Sequence, residues 1–170
     1  LFMNKRFRVY TSSDVVGVEI CAALKNVIAL CVGMSDGMGF GDNTRALIIT
    51  RGLAEITRLG TALGGKPETF AGLAGVGDLI TTCTSVHSRN HQAGIFIGGG
   101  MKPADAIKKV GAVVEGYYAA ATGMELAERL GIEMPITQAI YSVMYEDACV
   151  YSVSEGMMGR AKTHEANANW

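Results

Sequence analysis

Apolar residues recur at helical spacing along nearly the whole chain, and only one short stretch alternates as a strand would. Val16, Ile20, Leu24, Val27 or Ile28, and Cys31 follow the 3.6-residue period behind Ser13 or Asp14, either of which can cap the helix. The helix ends in the glycine-rich run from Gly33 to Gly41, and Asp42 or Asn43 offers the cap of a second helix reaching about Leu63. Gly64-Gly65 stops that helix, and Pro67 suits the first turn of the next. Residues 76–84 and 88–97 read as two shorter helices around a Ser/Thr/His turn, and Pro103 starts another through about Val110. A longer helix over 112–130 closes at Gly131, and Pro135 opens one with Ile136, Ala139, Ile140, Val143 and Met144 at core spacing. Ser152 and Glu155 have capping-box spacing just before Met157 and Met158.

The exception is residues 5–10, where Phe7 and Val9 fall on one side of an extended segment and Arg6, Arg8 and Tyr10 on the other. A lone strand cannot satisfy its own edges, so this one either pairs with something outside the sequence or lies loose. The chain begins at Leu1 rather than at a methionine, and it reads as a fragment or processed piece. The predicted fold is all-α: a single multi-helical domain of about seven or eight helices with a short N-terminal strand. Residues 1–12 form the lead-in, 13–165 the helical domain and 166–170 a flexible tail, the polar character setting in near Lys162.

Charge narrows the function. Fifteen basic against sixteen acidic residues give a net charge of -1, which leaves no field to recruit nucleic acid. No uninterrupted apolar run reaches the roughly 18–20 residues that span a bilayer, and no signal-peptide pattern opens the chain, so no membrane insertion is expected. Cys21, Cys31, Cys83 and Cys149 are dispersed without metal-ligand spacing, as buried reduced thiols of a cytoplasmic protein would be. His87 and His91 are four apart, but no third ligand is identifiable and no metal is expected. The run from Gly37 to Asp42 is not GxGxxG after a strand, so it is no nucleotide fingerprint.

Three places carry candidate chemistry. Lys25-Asn26 interrupts the apolar stretch Ala22 to Leu30, where a lysine is rarely buried unpaired and an asparagine must find partners. Either the pair faces a polar cleft, where the lysine can protonate a carbonyl oxygen, or Lys25 snorkels to solvent. In Gly75-Val76-Gly77-Asp78, the carboxylate either caps a helix or points inward to Lys25, with Thr82 one turn further along the same face. In Ser88-Arg89-Asn90, a helix N-terminus and a guanidinium together suit a phosphate or carboxylate, a surface salt bridge being the ordinary alternative. Glu115, after Val113-Val114 and before Gly116, can receive a cofactor amide or hydroxyl, or simply cap its helix.

The stretches ALKN, GDNTRALIITRG, GVGDLITTC and SRN occur in this order, and with VVEGYYAAATGMELAERLGIEMPI and SEGMMGRAKTHE they span about residues 7–165. In this combination the chain resembles the C-terminal domain of bacterial NAD(P)-dependent glycerol-3-phosphate dehydrogenase. The resemblance implies a two-part enzyme whose N-terminal doubly wound domain, not contained in these 170 residues, binds most of the NAD or NADP. The strand at 5–10 then resembles the last strand of that domain's sheet. A second lysine that the family places in its N-terminal domain has no counterpart here.

The resemblance also implies roles. Lys25 and Asp78 are the catalytic pair at the substrate oxygen; Asn26, Thr82, Arg89 and Asn90 bind substrate, the last two at its phosphate; Glu115 lies on the cofactor side. The reaction implied is reversible hydride transfer between NAD(P)H and dihydroxyacetone phosphate, giving sn-glycerol 3-phosphate, with the isolated chain inactive. A homodimer is the other partner considered. Two alternatives stand beside it: the helical domain of a hydroxy-acid or sugar-acid dehydrogenase, and a non-enzymatic helical interaction module.

Overall fold

The computed structural model describes residues 2–161, in which helices joined by short turns and loops follow a non-helical N-terminal segment. The helices are α1 (Val15–Gly37), α2 (Asp42–Ala62), α3 (Pro67–Phe70), α4 (Asp78–Thr84), α5 (Arg89–Gly98), α6 (Pro103–Val110), α7 (Glu115–Leu130), α8 (Pro135–Tyr145) and α9 (Val150–Met158). A π-helical turn, Leu73–Gly77, leads into α4. Nine helices among the described residues, against seven or eight expected, reflect the four-residue α3 that Pro67 opens.

The central helix is α1, which packs against α2, α4, α5, α7 and α8. Val27, Ile28, Ala29, Leu30 and Val32 are fully buried in it, each larger side chain contributing about 1.5–3 kcal/mol of burial. By length and average composition α1 is apolar enough to cross a bilayer, but half of that stretch is buried inside the fold, where it forms the core. Of the two caps expected, Ser13 or Asp14, it is Asp14 that caps it. Its carboxylate accepts from the Gly17 amide at 3.0 Å, and also from the Lys66 amide at 2.8 Å and the Thr69 hydroxyl at 2.6 Å. These bonds, the Thr69 hydroxyl foremost, hold the Asp14 carboxyl below its usual range and tie the start of α1 to the loop after α2.

Glycine does more here than break helices. At Gly33 a side chain would collide with the backbone carbonyl of His91, and at Gly94 with that of Leu30. The backbones of α1 and α5 therefore touch directly, a closeness that only residues without Cβ allow. This explains why α1 continues past Gly33 to Gly37 before it stops.

One buried carboxyl organises the far end. Glu55 of α2 accepts from the Ile136 amide at 2.6 Å and from the Thr137 amide and hydroxyl at 3.1 and 3.0 Å, capping α8 from another helix. Burial raises its pKa, and those hydrogen bonds oppose the rise. Glu55→Ala leaves two buried amides unpaired and is expected to cost about 2–4 kcal/mol, lowering the melting midpoint by roughly 5–15 °C. A melt by circular dichroism with an unchanged midpoint would refute the capping role.

The structure corrects three expectations. Residues 5–10 form no strand: Asn4 and Phe7 make an isolated bridge, closed by the Asn4 side chain accepting from the Arg6 and Phe7 amides at 2.9 and 3.1 Å. No neighbouring strand exists among the described residues, so this backbone bonds locally instead. Ser152 and Glu155 lie inside α9, which starts earlier at Val150 because Val150 and Val153 both pack against the core. The four thiols are free, but only Cys21 and Cys83 are buried, where desolvation pushes them up to about 11 and about 12; Cys149 is exposed. The expected tail at 166–170 lies outside the described residues, as does the end of the helical domain from Lys162.

Candidate functional site

Three helix N-termini meet the middle of α1. Asp78 is the first residue of α4, Arg89 of α5 and Glu115 of α7. None of these starts on a side-chain cap except α5, where the Ser88 hydroxyl accepts from the His91 amide. The carboxylates of Asp78 and Glu115 are therefore released from capping and turn toward α1.

Lys25 donates to Asp78 Oδ2, a pair formed across 53 residues of sequence. The lysine side chain is 21% exposed and the aspartate 40%, so the ion pair sits at an open edge, neither sealed in the core nor spread on the surface. Of the two readings of Asp78, the inward one is observed. Thr82 donates to the Asp78 backbone carbonyl at 2.7 Å and lies 3.4 Å from its Oδ1. Its proton is thus engaged within α4, and its oxygen keeps acceptor capacity toward a ligand.

Asn26 is buried and acts as the hub. Its Nδ2 donates to the Ala22 carbonyl at 3.1 Å and to Glu115 Oε2 at 3.0 Å, while its Oδ1 accepts from Asn90 Nδ2 at 2.9 Å. Both amide hydrogens are engaged, so Asn26 can reach a ligand directly only through its oxygen. Asn90, also buried, accepts the Gly116 amide on Oδ1 at 2.8 Å and retains one free amide hydrogen. Arg89 completes the circuit at 3.5 Å from Glu115 Oε1, its side chain 47% exposed.

The seven residues singled out in the sequence therefore form two adjoining clusters, Lys25–Asp78–Thr82 between α1 and α4 and Asn26–Glu115–Asn90–Arg89 between α1, α5 and α7, which meet where Lys25 and Asn26 are consecutive on α1. Two cations and two carboxylates balance, and the N-terminal ends of α4, α5 and α7 add positive potential. Such an arrangement can hold a polar, anionic molecule with its charge near Arg89 and a reacting oxygen near Lys25. Sequence reading missed the part of Gly116. A side chain there would strike the Asn26 carbonyl, so the glycine lets α7 approach α1 closely enough for its amide to reach Asn90.

His87 is exposed and His91 buried, so the two do not face one another. No cluster of three His, Cys, Asp or Glu placed to hold a metal occurs among the described residues. A cleft of about 1770 Å³ opens elsewhere, between α2, α8, α9 and the C-terminal part of α1, and none of the seven residues lines it. Its walls are chiefly apolar side chains such as Leu47, Ile140 and Val153, whereas the paired charges lie at the junction of α1, α4, α5 and α7.

The NAD-dependent glycerol-3-phosphate dehydrogenase C-terminus matches this chain over residues 14–155. The glycerol-3-phosphate dehydrogenase [NAD(P)+] of Shouchella clausii (strain KSM-K16) is 55% identical over 168 residues, 99% of this chain and 49% of that protein. The protein of the same name from Bacillus subtilis (strain 168) is 53% identical over 165 residues, 97% of this chain and 48% of its own length. The crystal structure of glycerol-3-phosphate dehydrogenase from Coxiella burnetii superposes with a TM-score of 0.89 at 41% identity, covering 93% of this chain and 49% of that one. The chain spans about half the length of the curated relatives it matches.

Proposed function

Because the chain belongs to the family of the NAD-dependent glycerol-3-phosphate dehydrogenase C-terminus, we propose that it is the substrate-binding and catalytic part of an enzyme interconverting dihydroxyacetone phosphate and sn-glycerol 3-phosphate. The observation that carries the reading is that consecutive residues of α1 anchor two adjoining clusters: Lys25 pairs with Asp78, and Asn26 binds Glu115 and Asn90, with Arg89 against Glu115. A non-enzymatic scaffold has no use for two such partly exposed ion pairs set side by side at one helix junction.

Toward a dinucleotide this chain offers the Glu115 carboxylate, 56% exposed, which can accept from an amide or hydroxyl beyond its bonds to Asn26 and Arg89. The described residues contain no sheet and no glycine-rich strand-to-helix turn, so they fit one edge of NAD(P) and leave the rest to an N-terminal part. When bound, reduced NAD(P) supplies the hydride that converts the C2 carbonyl to a carbinol.

Lys25 presents its ammonium to the C2 oxygen and delivers the proton that the forming alkoxide takes up. Asp78 accepts from the lysine ammonium and fixes its direction. Arg89, the remaining amide hydrogen of Asn90 and the N-terminus of α5 hold the phosphate, turning its binding energy into alignment of C2. Thr82 accepts from a substrate hydroxyl near Asp78. Asn26 works through its neighbours, keeping Glu115 and Asn90 in place. A cytoplasmic location accompanies this reading, supported by the burial of α1 within the helical body.

The test is a substrate panel with the complete enzyme containing this chain, following NADH and NADPH oxidation. Dihydroxyacetone phosphate is expected to be reduced with a kcat/KM about 100-fold or more above that of dihydroxyacetone or a 2-oxo acid. Preference for the 2-oxo acid would refute the reading. The 170-residue chain alone is expected to give no turnover.

A further inference from the structure

We propose that the Asp36–His91 hydrogen bond is a positioning device that sets the rotation of α5 and so aims Arg89 and Asn90 at the substrate phosphate. The inference rests on the reading of α5 given under Proposed function. Neither residue is one of the seven.

Asp36, near the end of α1, lies 2.7 Å from His91 Nε2 through its Oδ2. Its two oxygens also accept from Arg45 Nη2 of α2, at 3.1 and 3.2 Å, and Arg45 Nη1 donates to Asp42 at 2.7 Å. The His91 and Asp36 side chains are only 10% and 13% exposed. His91 Nδ1 is buried without a partner among the described residues. A proton on Nε2 therefore fits best: it is donated to the carboxylate, and Nδ1 keeps a lone pair. A neutral ring protonated on Nδ1 would instead leave a buried N–H unpaired and set a lone pair against Asp36.

This bond supplies something that the glycine crossing cannot. At Gly33 and Gly94 the backbones of α1 and α5 touch without side chains between them, which fixes their separation. Backbone contact alone sets rotation poorly, so side chains must set it: Asn90 bonds to Asn26 of α1 at 2.9 Å, and His91 adds a second tether to Asp36 at 2.7 Å. His91 follows Arg89 and Asn90 directly, and successive helical residues are turned by about 100°. Fixing the direction of His91 from α1 consequently fixes theirs, and Arg45 holds Asp36 steady from α2.

The test uses the isotope-labelled 170-residue chain, titrated with inorganic phosphate and followed by nuclear magnetic resonance. In the unmodified chain, phosphate is expected to shift the Arg89 and Asn90 amides. His91→Gln can still reach Asp36 through its amide nitrogen and is expected to keep phosphate affinity within about threefold. His91→Asn is too short to reach, and is expected to lose about tenfold or more while helix content stays unchanged. Equal affinity in His91→Asn would overturn the inference and leave the phosphate reading standing. No phosphate response in the unmodified chain would overturn both. If His91→Asn fails to fold, the imidazole nitrogen shifts of the unmodified chain decide. Protonation at Nε2 is expected, and protonation at Nδ1 alone would overturn the proposal.

Discussion

Replacing Lys25 by alanine in the complete enzyme is expected to lower kcat for dihydroxyacetone phosphate by about 100-fold or more, the scale of a lost general acid. The loss has two parts. The ammonium that would meet the C2 oxygen is gone, and the Asp78 carboxylate to which it donates is left without its counter-charge. An unpaired carboxylate beside an oxygen gaining negative charge raises the barrier further. Because Lys25 is partly exposed at the edge of the core, its truncation is expected to leave the helical fold intact. Circular dichroism checks that, and a folded variant with unchanged kcat would rule out the proton-delivery role.

Arg89→Ala has a different signature. It is expected to weaken kcat/KM for dihydroxyacetone phosphate by about 2–3 kcal/mol, roughly 30- to 150-fold, and to leave the unphosphorylated triose nearly unaffected. The figure sits at the low end for a charge pair because the guanidinium is 47% exposed in this chain. Glu115 loses its cationic partner in the same variant, yet it keeps the hydrogen bond from Asn26. Equal losses on both substrates would place Arg89 in general packing and away from the phosphate.

Where local chemistry governs the outcome, the amino-acid order was enough. Asp14 before an apolar period foretold the start of α1, and proline at the first helical turn foretold α3, α6 and α8. Lys25-Asn26 inside an apolar helix, GVGD and SRN each marked a polar residue that the fold must satisfy. Which residues satisfy one another was not legible. Lys25 meets Asp78 across 53 positions, Asn26 meets Asn90 across 64 and Glu115 across 89, and no local period encodes such distances.

The misses share that cause. Gly33 reads as part of a break and Gly94 passes unmarked inside a helix, although the two are the contact through which α1 and α5 touch. Glu55 carries no sequence signal of its own, because its role depends on amides 81 and 82 positions away. His91 was weighed only against His87 as a metal pair, and its partner Asp36 lies 55 residues off. The alternation at residues 5–10 had a real period and no partner, and without a neighbouring strand the backbone closes on Asn4.

A crystal structure of the complete enzyme with dihydroxyacetone phosphate measures the central claim directly, that one triose phosphate bridges Lys25 and Arg89. The expected result is the C2 oxygen within about 3 Å of Lys25 Nζ, with the phosphate on Arg89 and Asn90. A phosphate seated away from α5, or a carbonyl beyond reach of Lys25, would contradict it.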